Sequence, residues 1–216
     1  YLWAPERTPE GSVLGVVNLE TQKLLLFRYG VPVAASTISS GSKGHETPTG
    51  VFTILQKREE HYSSTFNNAP MPNMQRLTWK GITLHAGKHP GYPASHSCIR
   101  LPHKFSELLF GATTMGMTVV ITSIGAVPRE SGAPEIVNAS APADDRPLAT
   151  AAFQLSGNRR STRLLCAVIP AGQQGATVMQ DGAEIGSAPV RVAGPVGGGL
   201  AYVLKSWDAS GMQWIK

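Results

Sequence analysis

The chain has 216 residues and is 42% hydrophobic, enough to bury a core and to form one good-sized domain or a medium and a small one. Only 15% of it is charged, against roughly 25% in an average domain, and its 23 Gly and 16 Pro favour turns and short strands and exclude a coiled coil or helical repeat. The net charge of +5 suits a polyanionic partner, but the basic residues are scattered, the densest group being Arg159, Arg160 and Arg163; without a basic stripe interleaved with aromatics, nucleic acid is no better a partner than an anionic bacterial cell wall.

The first stretch reads as a β meander: Val13 to Leu19, a polar turn at Glu20-Thr21-Gln22, Lys23 to Tyr29, then Gly30 turning the chain into Val31 to Ala35 and on to Ser39. Ser40 to Gly50 is a loop ending in Thr47-Pro48-Thr49-Gly50, and Val51 to Leu55 is a further strand. Residues 56 to 76 are polar and irregular. Leu77 to Leu84 resumes strand character and delivers His85. After a Gly- and Pro-rich loop, Pro102 opens a helix in which Phe105, Leu108 and Leu109 share one face and Gly111 closes it. Met117 to Thr122 is the last strand of a first domain that spans about 11 to 124. Residues 125 to 150 read as a Pro/Ala-rich linker carrying Pro128, Pro134, Pro142 and Pro147. From 151 to 216 strands return, notably Arg163 to Ile169 and Leu200 to Leu204, and Val178 to Val190 faintly echoes Phe27 to Ile38 with Gly182 matching Gly30. At about 65 residues this second unit is small for an independent core and is expected to lean on the first.

No apolar run approaches the ~18 residues of a spanning helix. No signal peptide is legible, and a chain beginning at Tyr1 rather than Met reads as processed or trimmed. Two cysteines, Cys98 and Cys166, make no disulfide framework. Cys166 sits in the strand pattern Leu164-Leu165-Cys166-Ala167-Val168 and reads as a small, inert core residue.

The chemistry concentrates between His85 and Arg100. Cys98 stands two residues after His96 and thirteen after His85, among Ser95, Ser97 and Arg100. A loop thiol beside imidazoles is how a cysteine nucleophile is activated, whereas a buried structural cysteine would have apolar neighbours. His85, His89, His96, Cys98 and His103 fall close enough together to suggest a metal site, but Gly87, Pro90 and Gly91 break the helix that His85 and His89 would need, and no second cysteine is near. No metal and no cofactor are expected.

The string Leu84-His85-Ala86-Gly87 followed by Pro90-Gly91-Tyr92-Pro93-Ala94-Ser95-His96-Ser97-Cys98-Ile99-Arg100-Leu101-Pro102 closely resembles the active-site signature of the L,D-transpeptidase (YkuD-type) family. Gly15 to Gly30, Gly41 to Phe52 and Met71 to Gly87 resemble its supporting segments, so the resemblance covers about 11 to 124. It implies a mainly β fold, a β-sandwich catalytic domain with one short helix, to which a small C-terminal β-rich unit is attached. It also implies a periplasmic or cell-envelope enzyme acting on peptidoglycan stem peptides, with no nucleic-acid partner and no membrane segment in this chain. A thiolate would attack the carbonyl of an L-centre, usually diaminopimelate, and expel the following D-residue; an amine of another stem would then resolve the acyl-enzyme into a cross-link.

In that scheme Cys98 is the nucleophile, His85 the general base, oriented by a backbone carbonyl near Ala86 or Gly87, and His96 and Ser95 complete the polar shell. Backbone N–H groups around Ser97 and Cys98 are candidate oxyanion donors. Gly87, Ser97, Tyr92 and Arg100 are the candidate substrate-binding residues, Arg100 either stiffening the loop through carbonyls or gripping a stem carboxylate. Met71, Met74 and Trp79 are further candidates for the cleft wall. The chain departs from the family pattern at Ser97, where glycine is usual, and in a short interval from His85 to Cys98; both bear on which stem is accepted. A carboxypeptidase or amidase on the same scaffold, with water as acceptor, is the alternative. A non-catalytic wall-binding module is the other, and the intact His85, Ser95, His96 and Cys98 set argues against it.

Overall fold

A computed structural model describes residues 1–11, 13–123 and 125 and, beyond them, the strands Glu130–Ser131, Leu165–Val168, Gly175–Gln180, Ala183–Pro189, Val203–Asp208 and Gly211–Ile215. The chain divides into a unit from Tyr1 to Ala126 and a unit from Val127 to Lys216.

The first unit is mainly β, two sheets and one helix. Strands β1 (Leu2–Trp3), β2 (Val13–Asn18), β3 (Lys23–Arg28), β4 (Val31–Thr37), β5 (Gly50–Thr53) and β10 (Thr118–Thr122) form a six-stranded sheet in the order β1-β4-β3-β2-β10-β5. The meander expected from sequence is β2-β3-β4. Its second turn has Tyr29 and Gly30 both at positive φ, 47° and 73°, the mirror-image turn that matches strand twist. β10 lies parallel to β2 and antiparallel to β5. The first ten residues, outside the span read from sequence, belong to this unit too. Leu2 and Trp3 pair with Ala35 and Ala34, and the rings of Tyr1 and Trp3 each approach Phe105 at 5.8 Å.

The second sheet is β6 (Gln56–Arg58), β7 (Met74–Arg76), β8 (Thr83–Ala86) and β9 (Ile99–Leu101), in that order, with β8 and β9 parallel. It carries the site. Helix α1 (His103–Ala112) follows β9, with Pro102 as its cap rather than its first residue. Phe105 and Leu109 are fully buried. Lys57 of β6 seals the helix's C-terminal end, its ammonium donating to the carbonyls of Phe110 and Thr113 at 2.5 Å each, where the helix dipole favours a cation. One apolar core takes Val17, Leu24 and Leu26 from the first sheet, Leu84, Ile99 and Leu101 from the second, and Phe105 and Leu109 from the helix.

Two expectations are corrected. The strand before His85 is not Leu77 to Leu84. Thr78 to Gly81 is a tight turn closed by Gly81 N–H on Thr78 O (3.1 Å) and Ile82 N–H on the Thr78 hydroxyl (3.1 Å), and the strand begins at Thr83. Leu77 is apolar because it tucks into the core on one side of that turn. The polar stretch 56–76 holds two strands, β6 and β7. Gln75 is fully buried in β7, where its Oε1 accepts the Thr113 hydroxyl at 2.7 Å while its Nε2 has no hydrogen-bond partner.

In the second unit, β11 (Glu130–Ser131), β16 (Gly211–Ile215) and β15 (Val203–Asp208) form one sheet, and β12 (Leu165–Val168), β13 (Gly175–Gln180) and β14 (Ala183–Pro189) another. β11 pairs with Ile215 and Trp214, so part of the expected linker is a strand. The rest of the linker after Gly125 lies outside the described residues. The sequence echo corresponds to two antiparallel hairpins, β3–β4 and β13–β14. Cys166 stands in β12 opposite Met179; the burial expected of its side chain lies outside the described residues. No helix among the described residues is long and apolar enough to cross a membrane.

Candidate active site

Strand alternation builds the site. Along β8 and β9 every second residue, Leu84, Ile99 and Leu101, enters the core. The residues between them, Thr83, His85 and Arg100, turn to the opposite face. There they line a cavity of about 580 Å³ together with Cys98, His96, Ser97 and Gly87. The parallel register sets His85 directly beside Arg100.

His85 is 6% exposed. Its Nδ1 lies 2.8 Å from the carbonyl oxygen of Ala86. A carbonyl has no proton to give, so Nδ1 carries the hydrogen and Nε2 of the neutral ring is a proton acceptor. This is the backbone-carbonyl orientation expected from sequence. Burial pushes the imidazole down to about 4, the Ala86 contact opposes that, and the charges of Arg100 and His61 add to the depression. At neutral pH the ring is therefore uncharged and basic at Nε2.

Cys98 is a half-buried free thiol. Its Sγ donates to Gly81 O at 3.4 Å and accepts from the Thr83 hydroxyl at 3.3 Å. Neither partner was singled out in the sequence. Thr83 was legible in principle, being two residues before His85 and so on the same face of a strand.

The loop before Cys98 is braced from the 39–47 segment. Ser39 and Arg100 exchange both backbone hydrogen bonds at 2.9 Å. Ser42 donates to Ser95 O through its N–H (2.9 Å) and its hydroxyl (3.1 Å). Thr47 accepts from Gly41 N–H (2.9 Å) and donates to Ser97 O (3.0 Å). Gly41 is required by this contact, since a Cβ there would lie 1.9 Å from His45 O. Ser95 is fully buried and its hydroxyl donates to Cys98 O, so it shapes the turn that carries Cys98 from behind.

Ser97, where the family pattern has glycine, is held at φ +73°, a conformation costing an L-residue roughly 1–2 kcal/mol. Its hydroxyl donates to His45 O at 3.0 Å, which offsets about 1 kcal/mol. Thermal melting should therefore rank Ser97→Ala lowest, because it keeps the strain and loses the bond. Ser97→Gly should lie within ~1 kcal/mol of the parent, since it loses both. An alanine variant melting at or above the glycine variant would refute this balance.

The structure places the remaining candidates as follows. His96 is exposed and lines the cavity, its ring in tilted contact with those of His45 (4.6 Å) and Phe66 (4.5 Å). Arg100 donates to Ala94 O at 3.3 Å and lines the cavity. Gly87 leaves room for that side chain, a Cβ there lying 3.3 Å from Arg100 Cδ. Met71 reaches the wall, whereas Tyr92, Met74 and Trp79 do not. Tyr92 is 62% exposed and gives the site only its backbone oxygen, accepting the Ser39 hydroxyl at 2.7 Å.

Arg76, Lys80 and Lys88, not foreseen, join Arg100 on the wall, and no carboxylate lines it among the described residues. The cavity is thus an anion-attracting cleft around a thiol and a neutral imidazole. No group of three or more His, Cys, Asp or Glu among the described residues is arranged to hold a metal.

The family model of YkuD, the L,D-transpeptidase catalytic domain, matches residues 12–121. No curated protein matches the chain. Among solved structures, an L,D-transpeptidase from Mycobacterium smegmatis is 21% identical with a TM-score of 0.48, the match covering 51% of this chain and 58% of that one. One from Mycobacterium tuberculosis is 21% identical at 0.49, covering 51% and 57%. One from Stackebrandtia nassauensis is 25% identical at 0.48, covering 52% and 55%. The chain thus spans less than two thirds of the length of each.

Proposed function

The chain belongs to the YkuD family of L,D-transpeptidase catalytic domains, and on that premise we propose that it is a peptidoglycan L,D-transpeptidase of the periplasm or cell envelope, joining stem peptides through a thioester on Cys98. The observation that carries the proposal is a thiol and a tautomer-fixed imidazole on the wall of one cavity. His85 Nε2 takes the proton of Cys98 as Sγ attacks the carbonyl carbon of the donor stem, and the carbonyl π pair moves to oxygen. The N–H groups of Ser97 and Cys98 receive that oxyanion. Collapse expels the following D-residue, whose amine takes the proton back from His85. An amine of a second stem then attacks the thioester and gives a proton to His85 Nε2, the thiolate leaves with the C–S electron pair, and His85 returns that proton to Sγ. Arg76, Lys80, Lys88 and Arg100 attract the stems' carboxylates, which suits an acidic peptide better than a neutral one.

Hydrolase and transferase share the acyl-enzyme and differ in what resolves it. A transferase holds the acceptor amine where its effective concentration outweighs bulk water. Purified muropeptides incubated with the protein and analysed by mass spectrometry should yield cross-linked dimers. Trimmed monomers without dimers at any substrate concentration would replace the transpeptidase by the carboxypeptidase.

A further inference from the structure

We propose that Thr83 is a catalytic residue that holds and stabilises the Cys98 thiolate through its hydroxyl, both as nucleophile and as leaving group; the role rests on the reading of Cys98 as nucleophile. Thr83 is 1% exposed on β8, on the same face as His85 and opposite Arg76 of β7. Its Oγ1 donates to Cys98 Sγ at 3.3 Å. The thiol hydrogen points elsewhere, to Gly81 O at 3.4 Å. The sulfur is therefore held at two points: one contact can exist only while it carries its proton, and the other persists after the proton has gone.

That difference selects for the thiolate. When His85 removes the proton, the Gly81 contact is lost and the Thr83 contact becomes charge-assisted, roughly twice as strong as a neutral one. Hydrogen bonding to the charged form favours that form. In the thioester Sγ is neutral, and the contact strengthens again when the acceptor amine attacks and the thiolate departs with the C–S electron pair. Thr83 keeps its own proton throughout, so the proton traffic stays with His85. The other charged or titratable groups facing the sulfur's cavity are His85 on β8, Arg76 on β7, Lys80 in the 78–81 turn, Arg100 on β9, Lys88 beyond β8, His96 in the nucleophile's loop, His61, and His103 at the start of α1. All are basic.

The test is peptide-resolved mass spectrometry of iodoacetamide labelling at Cys98 against pH, with the parent, Thr83→Val, Thr83→Ala and Thr83→Ser, and circular dichroism to verify the fold. It needs no peptidoglycan, so it can fail while the cross-linking assay succeeds, and the reverse. In Thr83→Val the pH of half-maximal labelling should rise by about one unit, with the rate at pH 7 falling about tenfold and the alkaline plateau unchanged. Thr83→Ser should restore the parent profile. If the valine variant does not fold, the alanine variant is read in its place. A merely structural Thr83 would alter the plateau and leave the half-point where it was. That outcome, or coincident profiles, would overturn the assignment.

Discussion

Replacing Cys98 with alanine is expected to take stem-peptide cross-linking to background while leaving the fold intact. Where nucleophile and base act as a unit, loss of the nucleophile typically costs ~10⁴–10⁶-fold; the chain's other cysteine, Cys166, stands in β12 of the second unit. The half-buried Cys98 side chain donates one hydrogen bond and accepts one, so its removal strands little that the fold depends on. Cross-linking measured on purified muropeptides, beside a thermal melt, separates the two effects. Retained turnover in Cys98→Ala would mean that the reaction does not pass through this sulfur.

His85→Ala should lower the rate by ~10²–10⁴, the range for loss of a positioned general base, and His89→Ala, a residue outside the cavity wall, should cost far less. If His85→Ala kept full turnover, the base would have to be His96. The structure makes that substitution of roles awkward, because the His96 ring is exposed and in tilted contact with two others, whereas His85 has its tautomer fixed by Ala86.

The buried imidazole also makes a stability prediction. Its folded value of about 4 lies below the ordinary 6.5, so between those pH values the unfolded chain binds a proton that the folded protein does not. Stability contributed by neutral His85 is therefore full above pH 6.5 and falls as the pH drops toward 4, by on the order of 3 kcal/mol. Denaturant unfolding at pH 7 and pH 4.5 should show this loss in the parent and a smaller one in His85→Gln. Equal losses would mean that His85 is not buried as a neutral ring.

Much of this was legible in the chain, for physical reasons that differ from element to element. The meander was readable because apolar runs bounded by polar or glycine turns have few alternatives, and α1 because Phe105 and Leu109 recur at helical spacing. The tight spacing of His96 and Cys98, with His85 upstream, marks the stretch of chain whose side chains line the cavity. What stayed hidden depends on long-range partners. β9 is three residues long in a Gly- and Pro-rich neighbourhood and exists by pairing with β8. β7 carries a fully buried Gln75 whose partner, Thr113, is 38 residues away. Leu77 is apolar because a turn folds it inward, which period counting cannot tell from a strand. The positive φ of Ser97 follows from clamps reaching across from Thr47 and His45. Arg76 and Lys80 become cavity residues only once β7 and the 78–81 turn are set beside Cys98.

The covalent intermediate on Cys98 is the most direct point of test. The protein would be mixed with a tetrapeptide stem, quenched in acid and weighed intact, then digested to locate any adduct. The expected mass gain equals the stem less the free amino acid released from its C-terminus, carried by the peptide containing Cys98 and absent from Cys98→Ala. Turnover without any adduct on Cys98, or an adduct elsewhere in the chain, would contradict that intermediate.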